Sequence, residues 1–144
     1  MDANALGSFT LLYVRDLMNT EVKTVSPDDT LLEAIGRMVR NSIRHLPVVE
    51  GGAVVGVLSD RNVRTVLIDG TGPEERRAYL ARTTVRERAS TPVSTAGPDD
   101  LVSEVARRFV EDRIGCLPVV DEDGTLVGIL TQTDLLDWLS HAAD

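Results

Sequence analysis

Apolar residues recur along this chain at two different periods, and the two alternate in the same order twice. Leu31, Leu32, Ile35, Met38 and Val39 fall at helical spacing, and so do Leu101, Val102, Val105, Phe109 and Val110. Each set predicts a helix with one apolar face. A short β-prone run precedes each helix, Val22 to Val25 and Val93 to Ala96, and leads into a Pro-Asp-Asp turn. Asp29 and Asp100 are the expected N-caps, because Thr30, which could close a capping box with Glu33, is replaced by Leu101 in the second copy. Two apolar runs joined by a turn follow each helix. They are Leu46 to Glu50, Gly51-Gly52 and Ala53 to Ser59, then Leu117 to Asp121, Glu122-Asp123-Gly124 and Thr125 to Thr131. Both predict β-hairpins. A closing helix is expected from about Asp60 to Leu67 and from about Gln132 to Ser140.

The pattern is thus an internal repeat, which decides the fold before any single residue does. RHLPVVE at 44–50 returns as GCLPVVD at 115–121, an offset of 71 residues. The same offset pairs Val14-Arg15 with Val85-Arg86 and Pro27-Asp28-Asp29 with Pro98-Asp99-Asp100. One extra residue in the second turn then matches VVGVLSDRN at 54–62 to LVGILTQTD at 126–134. Each copy reads β-α-β-β-α over about 55 residues, a size at which an isolated core is marginal. The expected fold class is α+β (mixed α/β), two such repeats packed sheet to sheet with pseudo-twofold symmetry. The expected divisions are an arm at 1–13, a first repeat at 14–67, a connector at 68–84, a second repeat at 85–140 and a tail at 141–144. Within the connector a helix over Pro73 to Arg82 is expected, since Pro suits a first helical turn and Glu74 and Glu75 suit the positive end of the helix dipole.

Charge adds an asymmetry. The chain has 144 residues and a net charge of −8, yet residues 1–98 hold 12 basic and 12 acidic side chains while 99–144 hold 3 and 11. An acidic chain without clustered Lys and Arg lacks the footprint of a nucleic-acid binder. One cysteine permits no internal disulfide and no thiolate zinc cluster. The longest apolar run near the N-terminus, Phe9 to Val14, is too short for a membrane span or a signal segment. A cytoplasmic protein with no membrane contact is the expectation. No Gly-rich phosphate loop, HExxH motif or serine elbow is present, so no enzyme activity is expected.

The segments VRDLMNTEVKTVSPDDTLLEAIGRMVRNSIRHLPVVEGGAVVGVLSDRNV (14–63) and VRERASTPVSTAGPDDLVSEVARRFVEDRIGCLPVVDEDGTLVGILTQTDL (85–135) together resemble a tandem cystathionine-beta-synthase (CBS) domain pair, or Bateman module. The resemblance rests on four features in fixed order: turn-Pro-Asp, an apolar-Pro-Val-Val strand, a Gly-apolar-apolar-[Ser/Thr] strand end, and an [Ser/Thr]-x-x-[Asn/Asp] helix start. It implies two clefts between the repeats that bind adenosine compounds such as AMP, ADP, ATP or S-adenosylmethionine. It also implies a homodimer in which two modules associate, and an unidentified protein that the module regulates. No catalytic partner domain fits in the sequence, so a stand-alone module is expected. No cofactor is required; an adenine nucleotide or S-adenosylmethionine is a regulatory ligand.

In the second repeat, Thr131 and Asp134 suit a helix N-cap, and the same carboxylate could accept both ribose hydroxyls while free N–H groups hold a phosphate. By resemblance Thr91, Val93, Cys116, Pro118 and Thr133 complete that cleft. The first-repeat cleft would hold Thr20, Val22, Lys23, His45, Pro47, Ser59, Arg61 and Asn62. Here Asn62 replaces the carboxylate, while Arg61, Arg64, Arg44, His45 and Lys23 would favour phosphates. Two other readings stay open. One is a structural or protein-interaction dimer with vestigial clefts, associating through Met38, Phe109, Leu136 and Trp138. The other is a metal or redox sensor built on His45 and Cys116, although two such ligands fall short of a zinc set.

Overall fold

The computed structural model describes residues 11–65 and 72–142. The expected end of the first closing helix at Leu67, most of the N-terminal arm, the start of the connector and the last two residues of the tail lie outside them. In chain order the elements are α1 (Val14–Leu17), α2 (Leu31–Asn41), β1 (His45–Glu50), β2 (Ala53–Ser59), α3 (Asp60–Arg64), α4 (Pro73–Arg82), α5 (Val85–Arg88), α6 (Val102–Glu111), β3 (Cys116–Val120), β4 (Leu126–Thr131) and α7 (Gln132–Ala142). The protein is mixed α/β, with two antiparallel two-stranded sheets, β1-β2 and β3-β4.

Two compact units divide the chain. One is Lys23–Val93; the other combines the described parts of Met1–Val22 and Ser94–Asp144. Each therefore joins the hairpin of one repeat to the opening segment of the other. The join is made by main chain. In the Lys23–Val93 unit, Val85 N donates to Asp29 O at 2.8 Å and Arg86 N to Pro27 O at 2.9 Å. In the other unit, Val14 N donates to Asp100 O and Arg15 N to Pro98 O, both at 2.9 Å. Side chains repeat the match, because Arg15 pairs with Asp99 and Arg86 with Asp28 at 3.4 Å. Arg86 also reaches Glu50 at 2.6 Å, so one guanidinium ties α5 to the turn and to the end of β1.

Each unit has its own apolar core, and the two cores use equivalent positions. One holds Val25, Leu31, Ala34, Met38, Leu46, Val48, Leu58, Val63, Leu80 and Val85. The other holds Val14, Ala96, Val105, Phe109, Leu117, Val119 and Leu130. The opening valine of each repeat, Val14 or Val85, is fully buried in the core built on the other repeat's hairpin.

Several expectations require correction. The runs Val22 to Val25 and Val93 to Ala96 form single parallel bridges, Val25 to Val48 and Ala96 to Val119, and no strands. The motif prolines explain this. Val25 N donates to Pro47 O and Val49 N to Val25 O, at 3.0 and 2.9 Å. Extending the ladder by one step would need an N–H on Pro47, which has none, and Pro118 stops the second copy in the same way. The N-cap of α2 is Thr30, whose Oγ1 accepts from Glu33 N at 3.1 Å, and that of α6 is Leu101, which has no side-chain cap. Asp29 and Asp100 are occupied one turn earlier, accepting from Ser26 N at 2.9 Å and Gly97 N at 2.8 Å. Val39 and Val110, counted above on the apolar helix faces, are 72% and 78% exposed. Conversely Met38 and Phe109, placed on a self-association face, lie in the cores, which removes them from any outer surface.

Candidate functional site

The two Gly-apolar-apolar-[Ser/Thr] strands end in helix starts of the same design and different chemistry. At β4 to α7, Thr131 N donates to Asp134 Oδ2 at 2.8 Å and Asp134 N donates to Thr131 Oγ1 at 3.2 Å. This reciprocal box anchors the carboxylate through one oxygen only. Asp134 Oδ1 has no hydrogen bond among the described residues, and the side chain is half-buried, so a ligand can reach it. The capping and ligand roles are therefore compatible.

At β2 to α3 the same box forms, with Ser59 N donating to Asn62 Oδ1 at 2.9 Å and Asn62 N to Ser59 Oγ at 3.1 Å. Here the end group is more fully engaged. Asn62 Oδ1 also accepts from Ser59 Oγ at 2.8 Å, and Asn62 Nδ2 donates to Ser90 Oγ at 3.3 Å. An amide already committed on both atoms has less to offer a ribose diol than a carboxylate with one oxygen open.

The cations near this second helix start also differ in availability. Arg64 is paired with Asp60 at 3.1 Å, whereas Arg61, Arg44 and Lys23 are exposed and without an ion pair among the described residues. Lys23, His45, Pro47, Ser59, Arg61 and Asn62 belong to the Lys23–Val93 unit, together with Thr91 and Val93. Thr20, Val22, Cys116, Pro118, Thr131, Thr133 and Asp134 belong to the other. Thr20, Thr91 and Thr133 are exposed, Val22 and Val93 half-buried, and Pro47 and Pro118 buried. Because the prolines end the parallel bridges, Val22, Lys23, Val93 and Ser94 make no main-chain hydrogen bonds among the described residues. Such open peptide edges can read the donor and acceptor pattern of a purine.

His45 opens β1 opposite Ser59, and Cys116 opens β3 opposite Thr131. Burial holds the imidazole below its usual pKa; Asp60 opposes the shift and Arg44 adds to it. The folded state thus prefers neutral His45, and the unfolded chain binds its proton at higher pH. This contribution to stability is complete above the unfolded pKa near 6.5 and is lost as pH falls through the lower folded value. His45→Gln is expected to flatten the stability profile below about pH 6.5, measured by urea unfolding at a series of pH values; an unchanged slope would refute the assignment. Burial pushes the Cys116 thiol up to about 12, so it stays protonated at neutral pH and packs as a small apolar group. Among the described residues no group of three or more His, Cys, Asp or Glu side chains is arranged to hold a metal ion, and no helix is long and apolar enough to cross a membrane.

Sequence reading missed two contributors. Ser90, which binds the Asn62 amide, lies 28 residues away in sequence, and the tandem pattern gives no hint of the contact. The Val-Arg pairs were visible as a repeated feature, but their partners, the Pro-Asp-Asp carbonyls of the other copy, were not.

Comparison with known proteins fits this doubled design. The CBS domain family matches residues 14–69 and 85–141. The chain is 34% identical over 124 residues to the CBS domain-containing protein YhcV of Bacillus subtilis, covering 85% of this chain and 81% of that protein. Among solved structures it is similar to the CBS domain pair of protein MJ0100 in complex with 5'-methylthioadenosine and S-adenosyl-L-methionine, with a TM-score of 0.78 and 25% identity over 90% of this chain and 97% of that one. It is also similar to the CBS domain of a CBS domain-containing membrane protein from Sphaerobacter thermophilus, with a TM-score of 0.79 and 27% identity over 93% and 91% of the two chains. Homoserine O-acetyltransferases of Methanosalsum zhilinae, Methanococcus vannielii and Methanosphaerula palustris match as well, but the matched part is only 24%, 25% and 23% of each protein. With the family pattern present twice and in the expected order, this chain belongs to the CBS domain family as a tandem CBS pair.

Proposed function

We propose that this protein is a non-catalytic regulatory module that binds an adenosine compound, AMP, ADP, ATP or S-adenosylmethionine, and passes the binding state to a partner protein. The nucleoside is held at the Thr131 to Asp134 helix start, with the ribose hydroxyls on Asp134. The observation that carries this reading is the open Oδ1 of Asp134 on a carboxylate whose other oxygen is fixed by Thr131 N. The complex of the similar MJ0100 pair with two adenosine compounds supports the ligand class. The module acts in the cytoplasm as a homodimer. Cys116, Pro118 and Thr133, of the same unit, contribute to the adenosine site. In the first repeat, Lys23, His45, Pro47, Ser59, Arg61 and Asn62 form the weaker counterpart, because Asn62 is committed to Ser59 and Ser90.

Calorimetric titration with the four ligands tests the proposal. Asp134→Ala is expected to weaken binding by at least about tenfold, the scale of one hydrogen bond to a charged group, and Asn62→Ala by less. Asp134→Asn separates binding from folding, since an amide oxygen can still accept from Thr131 N while the charge is lost. Its affinity should fall while its melting temperature holds. Absence of binding at millimolar concentrations of all four ligands would refute the proposal, and a larger effect of Asn62→Ala would reverse the assignment of the sites.

A further inference from the structure

A cavity of about 620 Å³ in the Lys23–Val93 unit shares no residue with the sites above. It is lined by Tyr79, Arg82, Thr83, Glu87 and Arg88, from the end of α4, the residue after it and the end of α5. Both guanidinium groups lie against one phenol ring, with Arg82 Cζ 5.8 Å and Arg88 Cζ 5.9 Å from the Tyr79 ring centre. Arg88 Nε also donates to Tyr79 Oη at 2.9 Å.

This arrangement positions two cations without neutralising them. Arg15, Arg64 and Arg86 are each held by carboxylates, namely Asp99, Asp60 and the Asp28 and Glu50 pair. Neither Arg82 nor Arg88 meets a carboxylate in an ion pair among the described residues. The one carboxylate in the cavity, Glu87, commits Oε2 to Thr84 N at 2.7 Å and Thr84 Oγ1 at 3.2 Å, as the cap of α5. At the end of α4, Tyr79 O is already taken by Thr83 N at 3.1 Å and Thr83 Oγ1 at 2.6 Å, so the helix carbonyl there makes no demand on the guanidinium groups. An aromatic face attracts a cation through its quadrupole and carries no net charge, so both arginines keep their full charge and their terminal N–H donors. Two guanidinium forks beside one concavity match the several oxygens of a tetrahedral dianion better than the two oxygens of a carboxylate.

We infer that this cavity is a binding site for a phosphate dianion, either free or as the head of a small phosphomonoester. Its volume admits a short organic group behind the phosphate. The site is independent of the adenosine reading: it uses none of the same residues and is expected to survive Asp134→Ala.

The test is an amide-resolved NMR titration of the full chain with inorganic phosphate and, separately, with glycerol 3-phosphate, each to about 10 mM, a concentration that detects millimolar sites. Shifts are expected at Tyr79, Arg82, Thr83 and Arg88. Response to phosphate alone assigns the free ion, and response to both assigns the phosphomonoester head. The double variant Arg82→Ala/Arg88→Ala should bind at least tenfold more weakly; both side chains are exposed, so the fold is retained. Tyr79→Phe, which keeps the ring and removes the anchor of Arg88 Nε, should weaken binding severalfold. No localised response to either compound, undiminished binding in the double variant, or an equal response to acetate would overturn the assignment.

Discussion

Replacing Leu46 by Ala is expected to lower the stability of the protein by about 2–5 kcal/mol, the range for truncating a buried leucine where the surroundings cannot close the cavity. Leu46 is fully buried in β1 and stands opposite Leu58, also fully buried, in the register of the hairpin. Around the pair lie Val25, Leu31, Ala34, Met38 and Leu80, contributed by the parallel bridge, α2 and α4. Backbone contacts fix all three elements, so little relaxation is available. Against a total stability of about 5–15 kcal/mol, the loss is a large fraction of the whole. Val39→Ala, on the same unit and 72% exposed, supplies the control and should fall within about 0.5 kcal/mol of the parent. Urea unfolding followed by circular dichroism reads both, and equal shifts of the two midpoints would contradict the core described here.

The second large effect is expected from Gly56→Val. A Cβ at this position would sit 3.0 Å from Ser90 O, 3.2 Å from Thr91 Cγ2 and 3.5 Å from Ala89 Cβ. Ser90 is the residue that pairs with the neighbouring Val57, accepting from its N–H at 3.3 Å and donating to its carbonyl at 2.8 Å. Backbone that close cannot turn aside as a side chain can, so the larger residue pushes residues 89–91 off the outer edge of β2. A cost of about 1–3 kcal/mol follows from overpacking. Hydrogen exchange at the Ser90 and Val57 amides gives a local measure; unchanged protection there together with an unchanged unfolding midpoint would show that the strand tolerates the side chain. A Cβ on the equivalent Gly128 would meet Met18 Sδ at 2.6 Å and Asn19 O at 3.1 Å, so part of that clash could be relieved by a rotamer change of Met18.

What could be read in advance was what is encoded locally. Both hairpins follow from paired apolar runs around Gly51-Gly52 and Gly124, all of which take positive φ. Helix α4 follows from Pro73 and the acidic pair behind it, and the Thr131 to Asp134 box from a spacing of three. What escaped was encoded at a distance. Val14 and Val85 look like ordinary strand or helix residues until their amides are found on Asp100 and Asp29. Asp29 looks like a cap because nothing in the sequence shows that the Ser26 amide claims it. The apolar face of α2 is narrower than the spacing predicts: the small Ala34 lies buried at its centre, and Val39 lies outside it. In the sequence, Asn62 against Asp134 reads as a simple loss of charge, whereas the difference is also one of engagement, set by Ser90.

The exchange of opening segments between the repeats sets an order of assembly during synthesis. All the residues of the Lys23–Val93 unit are present once Val93 has left the ribosome, and that unit can close. The segment around Val14 was made earlier, but its core partners include Leu117 and Leu130. At usual elongation rates they arrive on the order of ten seconds later. Through that interval the segment is an apolar stretch without its core, open to chaperones or to a neighbouring nascent chain. Slowing translation between Val93 and Leu130 would lengthen this exposure and leave the Lys23–Val93 unit untouched.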